Sequence, residues 1–458
     1  MTTAPSFLFL PFKGTRSGVF PLTWGQHWVW NSIVARAPHF SDLSGSYVVE
    51  VPEGCDVFAV LDGVPRQMVL ADGHLRVEVR EVDSAAAEKA AAVVEVEFNH
   101  LPFTLPGLSL RAAVIASDGV PRFVVLCSFH MAMDCYGMVS VLDYFLSVLS
   151  GHSPDTAGHV PDELSHPVDR ALAEQNDQGV RRSARGVEYW ADELAKFPEN
   201  PLPLADRRPE SPRYQRSAMR SAVVRAASLQ LAEVLGVSTA SVILAMAASV
   251  LAGLSGNRTS GVILAVNHRY DPESMRYAGT LTQGVPVALH VSGLPPHTLI
   301  SQCHRTGMLA ALAGHCHPGD LAEMLSQTYG AEGAEERLAC VANLDIPMTE
   351  GVTARNVPRI TRADAERLLV ESQYDHVSAT PVENERLYLA AQGTALDFVI
   401  SLRADTAVLT SAEIVDFLHQ LERSLIDCLP DPVVMHHPAT TAQPIEPRSS
   451  GHNHGVMP

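Results

Sequence analysis

The stretch that most constrains the fold runs from residue 123 to residue 137 and reads FVVLCSFHMAMDCYG. Its first seven residues are apolar at almost every position, which is typical of a strand buried on both faces of a sheet. The apolar run ends at His130, and Asp134 follows four positions later. The sequence therefore predicts a buried strand that carries a histidine at its carboxyl end.

Turn signals extend this strand into a larger unit. The pair Asp118-Gly119 favours a tight hairpin turn and joins the strand to an apolar partner at 110–116. The spacing of apolar residues over 138–149 predicts a largely buried helix after the loop. A second hairpin is predicted at the Asp-Gly pair of residues 62–63.

The second half repeats an α/β pattern. Ser238 is placed to cap a helix that ends before Gly256, and a strand at 261–267 leads to His268. A helix near 297–313, strands near 338–344, 385–391 and 396–402, and a closing helix at 411–428 follow. Polar, proline-rich stretches suggest these boundaries: an N-terminal lobe at 1–165, a linker and lobe boundary at 166–216, a C-terminal lobe at 217–430, and a disordered tail at 431–458.

Composition narrows the class of protein. The 458 residues are 46% hydrophobic and 18% charged, which fits a soluble globular chain, and the net charge is −18. Such an acidic surface repels nucleic acid and anionic membranes, so we expect neither as a partner. We find no signal peptide and no apolar run long enough to span a membrane, and the seven cysteines are scattered. We therefore expect a cytoplasmic protein with reduced thiols.

His130 and Asp134 are the sharpest candidates for chemistry. A strand end is a rigid mount, and a neutral imidazole near pH 7 can accept a proton from an amine or a hydroxyl. An acid four residues later could orient the ring or brace the loop. The same spacing also fits a core histidine beside an ion pair, so spacing alone leaves both interpretations open.

Other segments accompany this motif in a fixed order along the chain, at residues 21–30, 102–111, 187–194, 260–269 and 279–287. Together they resemble the condensation domains of nonribosomal peptide synthetases, which belong to the superfamily that includes chloramphenicol acetyltransferase. The motif of that family is His-His-x-x-x-Asp-Gly.

The resemblance implies an α/β fold of two chloramphenicol acetyltransferase-like lobes that form a V-shaped pseudo-dimer, with His130 at the floor between them. It implies that His130 is catalytic and that Asp134 is structural. We expect Asp134 to pair with Arg269, because both follow buried strands of different lobes and an unpaired buried charge is costly.

The motif departs from the family at two positions. Phe129 replaces the first histidine and Cys135 replaces the glycine, while the nearest glycine is Gly137. These three residues are expected to form part of an active-site loop. The Asn-Thr pair of the later family segment is also lost, at residues 282–283.

The implied function is that of a free-standing condensation enzyme. It would join an acyl or aminoacyl thioester, held on a carrier protein's phosphopantetheine, to an amine or an alcohol. The chain itself would bind no cofactor, and carrier proteins would act in trans. Two alternatives stay open: an enzyme of the same fold that takes acyl-CoA or acts as an epimerase, and a non-catalytic docking module, which the changes at Phe129 and Cys135 favour.

Two further groups of residues are weaker candidates. The cluster Arg181, Arg182 and Arg185 could dock a carrier, although a solvated helix face is its simpler explanation. The histidines at 315–317 and 452–454 invite a metal interpretation, but neither group has a partner set at ligand spacing, so no metal is expected.

Overall fold

The computed structural model describes residues 5–14, 16–36, 44–47, 56–61, 64–104, 106–149, 166–202, 207–275, 277–344, 359–393 and 398–431. In the first half, the elements are β1 (Ser6–Lys13), β2 (Gly18–Phe20), α1 (Trp24–Arg36), β3 (Ser44–Tyr47), β4 (Asp56–Leu61), β5 (Val64–Val69), β6 (Asp72–Glu81), α2 (Ala87–His100), β7 (Gly107–Leu108), β8 (Leu110–Ser117), β9 (Val120–Phe129), α3 (Cys135–Leu149), α4 (Pro167–Gln175) and α5 (Asp177–Leu194).

The second half continues with β10 (Tyr214–Ser221), α6 (Ala222–Leu235), α7 (Thr239–Ser255), β11 (Thr259–Val266), α8 (Pro272–Met275), β12 (Gln283–His290), α9 (Pro296–Ala313), α10 (Pro318–Arg337), β13 (Cys340–Asn343), α11 (Arg362–Leu368), β14 (Gln373–Thr380), β15 (Leu387–Gly393), β16 (Phe398–Asp405) and α12 (Ser411–Asp427). Short 3-10 turns lie at Ser84–Ala86 and Leu369–Glu371.

Each half of the chain is built on its own sheet. The N-terminal sheet has the strand order β1-β6-β8-β9-β3, and the C-terminal sheet has the order β12-β11-β13-β15-β16-β10-β14. A smaller sheet, β2-β5-β4-β7, accompanies the first. The α/β fold of two lobes predicted from the sequence is confirmed.

The hairpin β8–β9 forms as its turn chemistry predicts. Asp118 and Gly119 both have positive φ, 54° and 72°, which is the conformation of a tight turn between antiparallel strands. The last six residues of β9 are buried, so the prediction of a strand covered on both faces is confirmed.

Two cores fill the lobes. The N-terminal core packs α2 and part of α1 against one face of the sheet, with Val94, Ile115 and Val125 fully buried. The larger C-terminal core surrounds α7, whose N-cap is Ser238 and whose end is Gly256 in the left-handed conformation. Both ends of that helix match the sequence prediction.

The range 166–216, predicted as a linker and lobe boundary, contains α4, α5 and the start of β10. Helix α5 packs against β12 and α10 of the C-terminal lobe. Three of its six buried residues are small, namely Gly179, Ser183 and Gly186. The exposed arginines of this helix agree with the solvated helix face that the sequence suggested at residues 181–185. The lobe boundaries themselves stay a prediction, and residues 432–458 lie outside the described residues.

Helix α1 lies between the two lobes. Its Val29 and Ile33 belong to the N-terminal core, while Trp28 packs near Trp190 of α5, with ring centroids 6.1 Å apart. At the helix end, Arg36 forms ion pairs with Glu383 at 3.0 Å and with Glu385 at 2.9 Å. Helix α1 therefore contacts both lobes, through apolar packing in the N-terminal core and through ion pairs of Arg36 with the C-terminal lobe.

Within the described residues, no single helix is both long and apolar enough to cross a membrane. The pair α6 and α7 meets those limits only jointly, and the two helices are bent by 109° relative to each other.

The start of α1 makes a close backbone contact that a side chain would block. A Cβ placed on Gly25 would lie 2.4 Å from the carbonyl oxygen of Thr280 and 3.0 Å from Cα of Leu281. Both obstacles are backbone, so neither can rotate away. We predict that Gly25→Ala lowers the free energy of unfolding by about 1–3 kcal/mol, the usual cost of overpacking.

Gly253→Ala is the matched control, because Gly253 lies inside helix α7 with no atom within 4 Å of the added Cβ. It should stabilise the protein by about 0.5–1 kcal/mol through helix propensity. Thermal unfolding of both variants measures the difference in stability. A Gly25→Ala variant as stable as the wild type would contradict a steric role for Gly25.

Candidate functional site

Strand β9 delivers His130 to the junction of the two lobes. The residue follows Phe129 directly, in a turn where the Phe129 carbonyl accepts a hydrogen bond from the Ala132 N–H at 2.8 Å. From the other lobe, the hydroxyl of Thr280 donates to the His130 carbonyl at 2.6 Å. The backbone of His130 is therefore fixed by both lobes.

The His130 ring has no hydrogen-bonding partner among the described residues, and its Nδ1 atom is buried. Buried polar atoms without a partner are rare in proteins, and they mark places where a bound molecule or a water completes the structure. The Nδ1 atom of His130 therefore has no protein partner that would compete with a bound group.

Asp134 sits in the loop that follows His130 and is fully engaged. Both carboxylate oxygens contact the Arg269 guanidinium at 2.8 Å, and the backbone N–H of Gly137 donates to Oδ1 at 2.9 Å. Oδ2 also accepts hydrogen bonds from the Leu281 N–H at 2.9 Å and the Thr282 hydroxyl at 3.0 Å. The predicted pair between Asp134 and Arg269 is present, and it joins the lobes.

The charge of Asp134 is stable because of these donors. Burial alone would raise the pKa of its carboxyl, but the Arg269 guanidinium and the backbone N–H groups outweigh burial and hold the pKa below its ordinary value. Arg269 is equally enclosed, and its Nη2 donates to the carbonyls of Tyr277 at 3.2 Å and Gly279 at 2.7 Å. The pair is charged and buried, and its hydrogen bonds are largely satisfied.

Gly137 has a steric role beside this ion pair. A Cβ at Gly137 would lie 2.7 Å from the carbonyl oxygen of Gly279, so the first turn of α3 and the segment before β12 touch backbone to backbone. A side chain here would separate the helix from the segment that also supplies Thr280 and Leu281. The glycine two positions after the expected one thus allows the lobes to meet.

Phe129 requires a correction, because its side chain belongs to the hydrophobic core and not to an open loop. It is 3% exposed and stacks on Phe103, with ring centroids 5.2 Å apart. The guanidinium of Arg111 lies over the other ring, 3.8 Å from the Phe103 centroid. The apolar side chain at this position therefore packs into the N-terminal lobe, while Cys135 is exposed at the start of α3.

The arginine cluster lies on α5, and Arg182 is close enough to the buried Glu174 and His315 to affect the pKa of each. Arg181, Arg182 and Arg185 are all exposed, and the helix buries Ser183, Gly186 and Trp190 on its other side. Burial, together with nearby Arg170 and Arg185, lowers the pKa of Arg182, although Glu174 opposes this effect. No hydrogen bond or ion pair among the described residues joins the cluster to His130.

A group of histidines beside α1 was not foreseen as a unit. His268 stacks on His315 with centroids 4.1 Å apart, and His27 meets His317 edge-on at 5.3 Å. The His315 ring also packs edge-on against the Trp24 ring, with centroids 4.7 Å apart. The described residues contain no cluster of three or more metal-ligating side chains, and the 452–454 histidines lie outside them.

Half-buried His27 and buried His268 and His315 are neutral near pH 7, because the pKa of each is lowered. Burial and neighbouring His317 lower the pKa of His27 to about 4, and burial lowers the pKa of His268 to about 3. Burial and adjacent His268 hold the pKa of His315 well below its ordinary value. The junction is thus packed with imidazoles that resist protonation.

Sequence reasoning missed the hydrogen bonds that the segment 280–282 makes. Thr280 holds the His130 carbonyl, and Thr282 contacts the Asp134 carboxylate. The only signal in the sequence was the similarity of residues 279–287 to a family segment, and it did not reveal which side chains reach across to the other lobe.

Solved structures resemble the chain along most of its length. A structure on the molecular basis of condensation domain-mediated chain release from the enacyloxin polyketide synthase has a TM-score of 0.69 at 18% identity, and the match covers 96% of this chain and 86% of that one. The chain has a condensation-domain fold.

Two further solved structures extend this likeness. The starter condensation domain of rhizomide synthetase, in complex with C8-CoA and Leu-SNAC, matches with a TM-score of 0.62 at 16% identity, covering 89% of this chain and 94% of that one. The epimerization domain of tyrocidine synthetase B matches with a TM-score of 0.61 at 12% identity, covering 91% and 97%. No protein-family model and no curated protein matches the chain.

The buried pair of this condensation-domain fold gives a stability prediction. Asp134→Asn removes one charge and leaves Arg269 buried without its partner, which typically costs about 3–5 kcal/mol. We expect a clear drop in melting temperature. Asp72→Asn is the control, because Asp72 is exposed at the start of β6, and it should leave the melting temperature unchanged. Equal melting temperatures for both variants would contradict a structural role for Asp134.

The neutral histidines give a pH prediction. The ordinary histidine pKa is 6.5, so below that pH the unfolded chain binds protons that the folded chain excludes. The free energy of unfolding should therefore be highest above pH 6.5 and should decrease as the pH drops towards 4. Thermal unfolding of His27→Gln across this range should have a shallower dependence than the wild type. Parallel curves would show that His27 does not contribute.

Proposed function

We propose that this protein is a condensation enzyme that transfers an acyl or aminoacyl group from a carrier-bound phosphopantetheine thioester to an amine or an alcohol. The observation that carries the proposal is the state of His130. Its backbone is held by both lobes, and its ring forms no hydrogen bond within the described residues. A base that acts on a bound nucleophile needs this combination of a rigid mount and an unoccupied nitrogen.

The proposed reaction needs only one base from the protein. The nucleophile attacks the thioester carbonyl carbon, the carbon–sulfur bond breaks, and the phosphopantetheine thiol leaves. The His130 imidazole accepts the proton of the amine or hydroxyl and returns it to the leaving sulfur. Because a thioester is already activated, positioning of the two substrates and one base suffice for the reaction.

Asp134 is a poor candidate for the base. Its oxygens accept hydrogen bonds from Arg269, Gly137, Leu281 and Thr282, and its pKa is held below the ordinary value. A carboxylate so stabilised binds protons weakly near pH 7. This supports a division of roles in which Asp134 fixes the loop and His130 handles the proton.

We propose that a carrier docks on the exposed arginines of α5. Arg181, Arg182 and Arg185 form an exposed basic group on an otherwise acidic chain, and the pKa of Arg182 is lowered by burial and by its cationic neighbours. Cations crowded in this way are stabilised when an anionic surface approaches. An acidic carrier domain has that chemistry.

The test is product formation from a carrier-bound thioester and an amine, with the intact mass of the product as readout. His130→Ala should reduce turnover by about a hundredfold or more, the usual effect of removing a general base. His290→Ala, an exposed histidine at the end of β12, is the control and should retain activity. Unchanged turnover in a folded His130→Ala protein would overturn the assignment.

The same assay distinguishes the donors. Reversing the charge of all three arginines should weaken use of the carrier-bound donor and spare a small soluble thioester. Equal losses for both donors would mean that the cluster supports the fold. Turnover with acyl-CoA alone would favour the CoA-dependent alternative, and a wild-type protein inactive with every donor would favour the docking module.

A further inference from the structure

Strand β1 forms one edge of the N-terminal sheet and exposes apolar side chains on both faces. Phe7, Leu8, Phe9 and Leu10 are 38%, 52%, 61% and 40% exposed. Its inner edge pairs with β6, and no described strand pairs with its outer edge. Natural proteins protect such edges with charges, bulges or covering segments, because an open edge binds another strand.

One hydrogen bond shows which backbone groups of β1 bond to β6 and which point to the open edge. The N–H of Gly14 donates to the carbonyl of Ala71 at 2.8 Å, in phase with the pairing of Phe12 with Gly73. Residues of an antiparallel strand alternate between bonding inward and facing away. The backbone groups of Phe7, Phe9, Pro11 and Lys13 therefore point to the outer edge.

We propose that β1 is a dimer interface, where it pairs in antiparallel fashion with β1 of a second copy of this chain, about a two-fold axis at Phe9. In this register Phe9 faces Phe9 of the second copy, and the N–H of each donates a hydrogen bond to the carbonyl of the other. Phe7 faces Pro11, with the Phe7 N–H donating to the Pro11 carbonyl. Because proline has no N–H, one hydrogen bond is missing from each of the two symmetry-related Phe7–Pro11 pairs.

Side-chain chemistry favours a second copy as the occupant. In this register Leu8 faces Leu10 of the second copy, and the aromatic and proline side chains share the other face, so apolar groups meet apolar groups at every central position. The strand contains no carboxylate, and its one charge, Lys13, lies at its end. On a chain of net charge −18, the strand itself thus adds no negative charge that would repel a second copy.

Phe9, the residue at the proposed axis, is largely exposed in one copy of the chain. The guanidinium of Arg76 lies over the Phe7 ring, 3.7 Å from its centroid, so Phe7 already has an intramolecular partner. Phe9 is the most exposed of the four large apolar side chains at residues 7–10. Burial of its ring against its symmetry mate removes the largest apolar surface of this edge from water.

The first experiment measures mass in solution by light scattering across a range of concentrations. The wild type should have twice the 49.4 kDa mass of one chain, and Phe9→Lys should be a monomer. Val96→Lys is the matched control, because Val96 is 56% exposed on α2, away from the edge, and should stay dimeric. A monomeric wild type, or a dimer unaffected by Phe9→Lys, would overturn the proposal.

The second experiment tests the register. Facing residues of a hydrogen-bonded pair have Cα atoms about 5.5 Å apart, within disulfide range, so Phe9→Cys should cross-link two chains on mild oxidation. Phe7→Cys is the control, because two copies of residue 7 would lie about 14 Å apart along the paired strands. Cross-linking of Phe7→Cys as fast as Phe9→Cys would exclude a two-fold axis at Phe9. The wild type sets the background from Cys135.

Discussion

The buried ion pair between Asp134 and Arg269 is the constraint on which the rest of the site depends. Asp134 belongs to the loop after the N-terminal strand β9, and Arg269 follows strand β11 of the other lobe. Two charges removed from water must find each other and a full set of hydrogen bonds, or the folded state is strongly destabilised. The pair therefore fixes how the lobes meet, and it sets the position of the loop that carries His130.

The contacts around the ion pair depend on small residues and on neutral imidazoles. Gly25 and Gly137 let helices α1 and α3 touch the backbone of residues 279–281, which bring Thr280 to the His130 carbonyl. On the other side of Arg269, His268 stacks on His315 in a region too buried to be protonated. The junction therefore gains no buried positive charge from these histidines near neutral pH.

The sequence was sufficient for the parts of this arrangement that depend on local patterns. The apolar run before His130, the Asp118-Gly119 turn and the Ser238 cap were each predicted and are present. The pairing of Asp134 with Arg269 was also predicted, from the cost of a lone buried charge together with the family resemblance. Helix α5 was foreseen only as a solvated face at its arginine cluster, because half of its buried residues are glycine or serine, and the stacking of Phe129 on Phe103 was not foreseen because it is a tertiary contact.

The central claim is that His130 faces the reacting carbonyl at the junction of the lobes. A crystal structure with a stable analogue of the donor, in which the thioester sulfur of a pantetheine-linked acyl group is replaced by nitrogen, tests it most directly. We predict that the analogue carbonyl lies beside the His130 ring with room for a nucleophile within hydrogen-bond reach, about 2.6–3.2 Å, of an imidazole nitrogen. An analogue bound elsewhere, or one separated from His130 by protein side chains, would contradict it.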